Sequence, residues 1–152
     1  MLTLAVSRGR IWQETLPLLR AMGFAPDEDA MRSRQLIIPT AAAAVRLVQV
    51  RAQDAPVFVA QGAAQAGIAG RDVLAERRMG EIICPLDLRV GRCRMSVAAP
   101  PDFDAAAPDR QNRPLAVATK YPNLTRAHFA AAGTQVNIIK LHGAMELAPL
   151  VG

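Results

Sequence analysis

Two arginines flank a glycine where the first apolar run of the sequence ends. Arg8, Gly9 and Arg10 follow Leu2–Val6, and an amphipathic pattern begins directly after them. A glycine lets the backbone approach a ligand closely, and a helix that follows would direct free N–H groups at the same point, which suits a phosphate. The arginines would add charge-assisted hydrogen bonds, each contributing roughly 1.5 to 3 kcal/mol. For either arginine alone, an ion pair with a surface carboxylate is the alternative.

The residues that follow the other predicted strands offer a cation, a glycine or both. They are Arg51 with Asp54, Gly70-Arg71-Asp72, Thr119-Lys120-Tyr121 and His142-Gly143-Ala144. Ligands of open α/β sheets bind outside the carboxyl ends of the strands. These positions are therefore the candidates for a binding site.

Several side chains at these positions have a structural as well as a functional interpretation. Asp54, Asp72 and Glu146 fall in the first turns of predicted helices, where capping and the helix dipole stabilise a carboxylate by about 0.3 to 1 kcal/mol. We favour capping for Asp54, whereas Asp72 could equally bind a ligand hydroxyl. Tyr121 is the only tyrosine, and its ring could stack on a planar ligand group or close a cleft. His142 is isolated and is interpreted as a surface or core residue.

Strands and helices alternate along the chain. Short apolar or alternating runs predict strands at Leu2–Val6, Gln35–Ile38, Val45–Val50, Ala66–Ala69, Glu81–Leu86, Cys93–Ala98, Leu115–Ala118 and Val136–Leu141. Helical periodicity and terminal signals predict helices at Arg10–Met22, Pro56–Gln61, Gly70 to about Arg78, Pro122–Ala132 and from about Ala144. This alternation is typical of an α/β fold in which helices cover parallel sheets.

The strand and helix pattern restarts near residue 90, which predicts two lobes, residues 1–88 and 89–152. A chain of 152 residues is long enough to bury a core without disulfides or a metal. The second lobe would hold only three strands and would end on an uncompleted crossover. We therefore expect that the second lobe is incomplete in this sequence.

Composition argues against several classes of protein. The net charge of +5 and the pI near 10.2 permit a polyanionic partner, but basic residues are scattered and aromatic residues make up only 4%, so no nucleic-acid partner is expected. Cys84 and Cys93 lack metal-site spacing and are expected to be buried, reduced thiols, so no resident metal is predicted. Since no secretory signal and no apolar run of ~20 residues is visible, we expect a cytoplasmic protein without a membrane partner.

Five segments of the sequence together resemble one enzyme family. They are LAVSRGRIWQETLPLLRAMG, SRQLIIPT, VRAQDAPVFVAQGAAQAGIAGRDVL, ATKYPNLTRAHFAAAG and IIKLHGAMELAP. The motifs TKYPN and GAMELAP, in register with GRDV, are similar to the catalytic subunit of ATP phosphoribosyltransferase, which begins histidine biosynthesis. The resemblance implies a two-lobed fold similar to type II periplasmic binding proteins, with ATP and phosphoribosyl pyrophosphate meeting in the cleft. N1 of the adenine would attack C1 of the ribose and displace pyrophosphate, which carries Mg²⁺.

The resemblance also implies roles for individual residues. The catalytic cations would be Arg10, Arg34 and Arg51. The residues that would bind substrate are Arg8, Gly9, Asp72, Tyr121 and Glu146. Departing pyrophosphate gathers negative charge, which fixed guanidinium groups and Mg²⁺ stabilise, so no covalent nucleophile is needed.

The family resemblance further implies a homodimer of catalytic subunits and a regulatory subunit similar to histidyl-tRNA synthetase, as in the short form of the family. The family's loop for the 5′-phosphate of phosphoribosyl pyrophosphate lies beyond residue 152, so a protein ending at Gly152 is expected to be inactive or nearly so. The alternative function is a non-catalytic module of periplasmic-binding type that binds an anion or a nucleotide.

Overall fold

The structure is a computed structural model that describes residues 1–77, 82–104 and 114–150. The predicted helix end at Arg78 and the predicted strand start at Glu81 lie outside these ranges. The chain forms two compact units, Met1–Cys93 and Arg94–Gly152, and each is described by itself. The predicted division of the chain into two lobes, residues 1–88 and 89–152, stays a prediction.

Strands and helices alternate through most of the first unit. Its strands are β1 (Leu2–Ser7), β2 (Ile37–Pro39), β3 (Val45–Val50) and β4 (Ala66–Gly67). Its helices are α1 (Arg10–Ala21), α2 (Glu28–Arg32), α3 (Ala55–Ala60) and α4 (Arg71–Arg77). The elements predicted up to Arg77 are confirmed to within a few residues, and the short helix α2 was not predicted.

The four strands form one mixed sheet in the order β2-β3-β1-β4. Strand β1 lies at the centre and pairs in parallel with β3 and β4, with Leu4 opposite Leu47 and also opposite Ala66. A helix crosses over between each pair of these parallel strands, as the connection of parallel strands requires. Strand β2 is antiparallel to β3, because only a short turn, held by hydrogen bonds of the Thr40 hydroxyl, connects the two strands.

Both faces of strand β1 are buried. Neighbouring residues Ala5 and Val6 point to opposite faces and are 0% and 1% exposed. Val6 belongs to a core cluster with Trp12 and Leu19 of α1, whereas Ala5 packs in a second cluster with Ala55 of α3. Burial of a side chain such as Leu19 contributes about 1.5 to 3 kcal/mol, so these two faces fix the sheet between its helices.

The second unit contains one parallel strand pair and a crossover helix. Strand β5 (Leu115–Thr119) pairs with β6 (Val136–Lys140), and helix α5 (Pro122–Ala131) connects them. Phe129 of α5 is the buried aromatic side chain of this pair. A 3-10 helix, Met145–Leu150, follows β6 where an α-helix was predicted. The prediction of an α/β fold is confirmed.

Two predicted strands are wrong. Residues 82–86 and 93–98 contain no strand, although both segments are rich in apolar residues. Strand propensity expresses how well side chains pack on a half-buried pleated surface, and Ile83 and Val97 are 86% and 60% exposed. These segments pair with no strand in the described part of the chain.

The two cysteines are free, as predicted, but their predicted burial is wrong. Both Cys84 and Cys93 are exposed, because they lie in the segments that form no strand. Searched over its described ranges, the chain has no helix with the length and apolar character needed to cross a bilayer.

Candidate active site at the carboxyl ends of the strands

The parallel strands of the first unit all end at one edge of the sheet. Arg8 follows β1, Arg51 follows β3, and Gly70 to Asp72 come shortly after β4. Strand β2 runs in the opposite direction, so Arg34, which precedes β2, also belongs to this edge. A hydrogen bond of 2.8 Å from the backbone N–H of Gln49 to the carbonyl oxygen of Leu36 fixes that alignment. We call this edge, with Arg8, Gly9, Arg10, Arg34, Arg51 and Asp72, the cationic edge.

Gly9 begins helix α1 with a backbone that favours glycine. Its φ is 98° and its ψ is −153°, and no side chain caps the helix at this point. Because α1 spans 12 residues, its first N–H groups carry the positive end of a full helix dipole. The residue is exposed, so these donors are accessible to an anion at the cationic edge.

Arg8 makes a hydrogen bond to a buried side chain of the neighbouring strand. Its Nε donates to Oε1 of Gln49 at 2.8 Å, and Gln49 is only 7% exposed. None of the residues in the described ranges forms an ion pair with Arg8. Within the described ranges, the charge of this guanidinium is therefore not offset by a paired carboxylate.

Arg10 has the surface ion pair that the sequence left open as an alternative. Its Nε lies 3.9 Å from Oε1 of Glu14, one turn later in α1, and both side chains are largely exposed. The other carboxylate oxygen of Glu14 accepts a hydrogen bond of 2.6 Å from the N–H of Gly91. An exposed pair of this kind contributes at most about 1 kcal/mol, so a strongly charged ligand can compete for Arg10.

Arg34 and Arg51 are both exposed, and neither forms an ion pair with any residue in the described ranges. The backbone of Arg51 has a separate task, since its carbonyl oxygen accepts hydrogen bonds from the N–H groups of Asp54 and Ala55 at 2.8 and 3.3 Å. These hydrogen bonds form the turn between β3 and α3, and they fix the backbone position of Arg51.

The capping role that we favoured for Asp54 is wrong. Asp54 stands before α3, but its side chain makes no capping hydrogen bond because its backbone is already helical, with φ −96° and ψ −22°. The carboxylate instead lies 3.9 Å from Nη2 of Arg77 at the end of α4. Asp54 thus pairs the two helices rather than capping one.

Asp72 lies in the first turn of α4, directly above the backbone of Gly70. A Cβ atom placed on Gly70 would overlap Oδ1 of Asp72 and would touch Cδ1 of Ile11 at 3.7 Å. The glycine is therefore required for the position of this carboxylate, and the choice between a capping and a hydroxyl-binding role for Asp72 stays open.

Tyr121 and Glu146 belong to the second unit, at the carboxyl ends of β5 and β6. Tyr121 precedes α5, and its N–H donates to Oγ1 of Thr119 at 3.0 Å. Thr125 closes the same turn, because its hydroxyl donates to the carbonyl oxygen of Tyr121 at 2.8 Å. Glu146 is exposed in the first turn of the 3-10 helix.

Comparison with known proteins identifies the family. A family model described as ATP phosphoribosyltransferase matches residues 51–152. An ATP phosphoribosyltransferase of Cupriavidus taiwanensis is 56% identical over 151 residues, which cover 99% of this chain and 67% of that protein. The chain belongs to the ATP phosphoribosyltransferase family. The resemblance inferred from the sequence segments is thereby confirmed.

Further members of the ATP phosphoribosyltransferase family agree with this assignment. The enzyme of Burkholderia thailandensis is 55% identical, with 99% of this chain and 69% of that protein covered. Among solved structures, an ATP phosphoribosyl transferase (HisG:HisZ) complex from Thermotoga maritima matches with a TM-score of 0.75 at 28% identity, covering 100% of this chain and 70% of that one. The fold is accordingly of the type found in this family.

Two groups of residues that support the ends of the strands were not predicted from the sequence. Gln49 holds Arg8, and the hydroxyls of Thr119 and Thr125, 3.1 Å apart, shape the turn at Tyr121. A signal for Gln49 was present, since it follows Val45 and Leu47 on the alternating inward face of its strand. A polar residue in such a position needs a partner.

A resident metal site does not emerge from the described residues, among which no group of three or more His, Cys, Asp and Glu side chains could hold an ion.

Proposed function

We propose that this chain provides the cationic part of the active site for the reaction of its family, in which ATP and phosphoribosyl pyrophosphate give phosphoribosyl-ATP and pyrophosphate in the first step of histidine biosynthesis. The lone pair of adenine N1 forms the new bond to C1 of the ribose. The C1–O bond breaks, and its electron pair leaves with pyrophosphate. The observation that supports this proposal best is the cationic edge, because the strand order and directions place four arginines and the start of α1 at the same edge of one sheet.

The cationic edge suits a reaction in which an anion departs. Negative charge grows on the leaving oxygens in the transition state, and preorganised guanidinium groups and helix N–H groups stabilise it. In this proposal Arg10, Arg34 and Arg51 act on that charge, while Arg8 and Gly9 bind phosphate. Magnesium arrives with the pyrophosphate group and shares its charge.

The residues outside the arginines would bind the other parts of the substrates. Asp72 would accept hydrogen bonds from ligand hydroxyls, since a carboxylate is a strong acceptor. Tyr121 and Glu146 would contact the nucleotide from the second unit. These roles rest on the positions of the residues at strand ends, as in other α/β proteins that bind ligands there.

The finer features of the family are part of the same proposal. We propose a two-lobed fold of the type II periplasmic-binding kind, the short form of the enzyme, and a homodimer of catalytic subunits. The Thermotoga maritima structure is titled as a complex of HisG with HisZ, which supports a regulatory subunit as partner for this chain. We place the reaction in the cytoplasm, where both charged substrates are available.

Titration calorimetry with pyrophosphate, ATP and phosphoribosyl pyrophosphate tests the role of Arg51 in binding. Arg51→Ala should weaken the binding of Mg-pyrophosphate about tenfold or more, since a charge-assisted hydrogen bond is worth roughly 1.5 to 3 kcal/mol. The matched control is Arg46→Ala, which removes an arginine from the same strand, β3, at its opposite end. Equal affinities of the Arg51→Ala and unaltered proteins would remove Arg51 from the site.

A further inference from the structure

Gln49 is a buried polar residue at the end of an otherwise apolar strand face. It shares this face with Val45 and Leu47 and is 7% exposed. A buried amide costs free energy unless it is hydrogen-bonded, and a leucine would fill the same space without that cost. The presence of Gln49 therefore calls for a partner, and Oε1 of Gln49 accepts the Nε–H of Arg8 at 2.8 Å.

The strand register explains how Arg8 and Gln49 meet. Val6 of β1 lies opposite Gln49 of β3, and Arg8 stands two residues after Val6. Residues two apart on an extended chain share a face, and a diagonal neighbour lies within reach of a long side chain. The contact thus holds the Arg8 side chain on the same face of the sheet as Val6, just beyond the end of β1.

The contact uses only one of the three guanidinium nitrogens of Arg8. Nε is engaged with Gln49, which leaves both Nη atoms, the pair that binds an anion in a bidentate manner, at the outer end of the side chain. A lysine ammonium has three N–H donors on a single nitrogen, so it lacks the planar pair of nitrogens that binds an anion in a bidentate manner. Because the glutamine amide is neutral, it orients the guanidinium without reducing its charge.

We propose that Gln49 is a positioning residue, which holds the Arg8 guanidinium so that its two Nη atoms face the pyrophosphate group. The inference rests on the proposed function of the cationic edge, and it adds a residue that acts only through Arg8. Fixing the side chain before binding avoids the loss of rotamer freedom on binding, which raises affinity.

A double-mutant cycle tests this coupling by calorimetry with Mg-pyrophosphate. Gln49→Leu should weaken binding about three- to tenfold, and Arg8→Leu should weaken it at least as much. In the double variant, Gln49→Leu should cause no further loss, because the side chain it positions is gone. A loss from Gln49→Leu that persists in the Arg8→Leu background would overturn the proposal.

The chain offers a matched control at the other end of the same two strands. There, Nε of Arg46 donates to Oγ1 of Thr3 at 2.9 Å, again from an arginine to a neighbouring strand. Thr3→Val removes this bond away from the cationic edge and should leave the affinity for pyrophosphate unchanged. If Thr3→Val weakens binding as much as Gln49→Leu, the effect is structural and the proposal fails.

Two further measurements separate orientation from charge. Gln49→Glu keeps the acceptor but places a negative charge beside Arg8, so it should lower the affinity for an anion while the Nε–H of Arg8, observed by NMR, stays protected from exchange. Gln49→Leu should lose that protection. If the Arg8 Nε–H exchanges as fast in the unaltered protein as in the Gln49→Leu variant, the proposal is overturned. An Arg8→Leu variant with normal affinity would refute the role of Arg8 and of Gln49, whereas the Arg51→Ala result tests the proposed function separately.

Discussion

At the scale of single residues, the backbone conformation of Gly9 decides what can begin helix α1. With φ at 98°, only glycine adopts this geometry without strain, although a Cβ atom would meet no atom within 4 Å. Gly9 is therefore required because of its backbone conformation, and not because a larger side chain would clash with neighbouring atoms. The N–H groups that an anion would use depend on this single residue.

Gly9→Ala should lower the free energy of unfolding by about 1 to 3 kcal/mol, the usual cost of a strained backbone angle. Gly23 provides the control, because it has φ 79° and equally open surroundings but lies after the far end of α1. Both variants should lose stability in thermal or urea unfolding, and only Gly9→Ala should also weaken the binding of Mg-pyrophosphate. Equal binding by the two variants would contradict an anion site at Gly9.

At the scale of elements, helix α1 carries a carboxylate that limits one of its own arginines. Glu14 faces Arg10 and at the same time accepts the N–H of Gly91. Gly91 has φ 63°, and a Cβ there would approach Cγ1 of Ile11 to 3.3 Å, so the segment around it lies against α1. Glu14 thus connects this segment to the arginine at the cationic edge.

Glu14→Gln should raise the affinity for Mg-pyrophosphate about two- to fivefold, since it frees Arg10 from an exposed pair worth up to about 1 kcal/mol. The amide oxygen can still accept the N–H of Gly91, so the fold should be unaffected. Glu28→Gln is the control with the same change of charge, because Glu28 pairs with Arg20 and Arg32 near the far end of α1. An equal rise for both variants would attribute the effect to net charge alone.

Most elements could be predicted from the sequence, and the failures have physical causes. β1 is a short apolar run, and α1 carries a period-3.6 pattern that ends at Gly23, and so their bounds were predicted closely. Residues 82–86 and 93–98 have the composition of strands, but composition does not supply a neighbouring strand. The cationic edge followed from the rule for strand ends except for Arg34, which only the family resemblance indicated. The Gln49 contact depends on a register between β1 and β3 that no local pattern contains.

At the scale of the whole molecule, apolar burial is unevenly distributed. Eleven of the twelve buried hydrophobic residues in the described ranges belong to the first unit, and Phe129 belongs to the second. The exposed large apolar side chains, such as Leu86 at 72% exposure, contribute little to this core. We therefore expect stability to depend on the sheet around β1.

Leu47→Ala should destabilise the protein by about 2 to 5 kcal/mol, because Leu47 is 0% exposed and its loss leaves a cavity. Leu86→Ala removes the same atoms from an exposed position and should change the free energy of unfolding by less than about 0.5 kcal/mol. Urea unfolding followed by tryptophan fluorescence suits both variants, since Trp12 belongs to the cluster of Leu47. Similar midpoints for the two variants would contradict this distribution of stability.

The direction of the central strand also determines how the protein can be attached to a surface. Met1 is 79% exposed and precedes the amino end of β1, whereas Arg8 follows its carboxyl end. A biotin or affinity tag at the amino terminus would therefore tether the molecule at the edge of the sheet opposite to Arg8 and the cationic edge. Immobilised in this way on a sensor chip, the protein would present those arginines to a flowing solution of nucleotide or pyrophosphate.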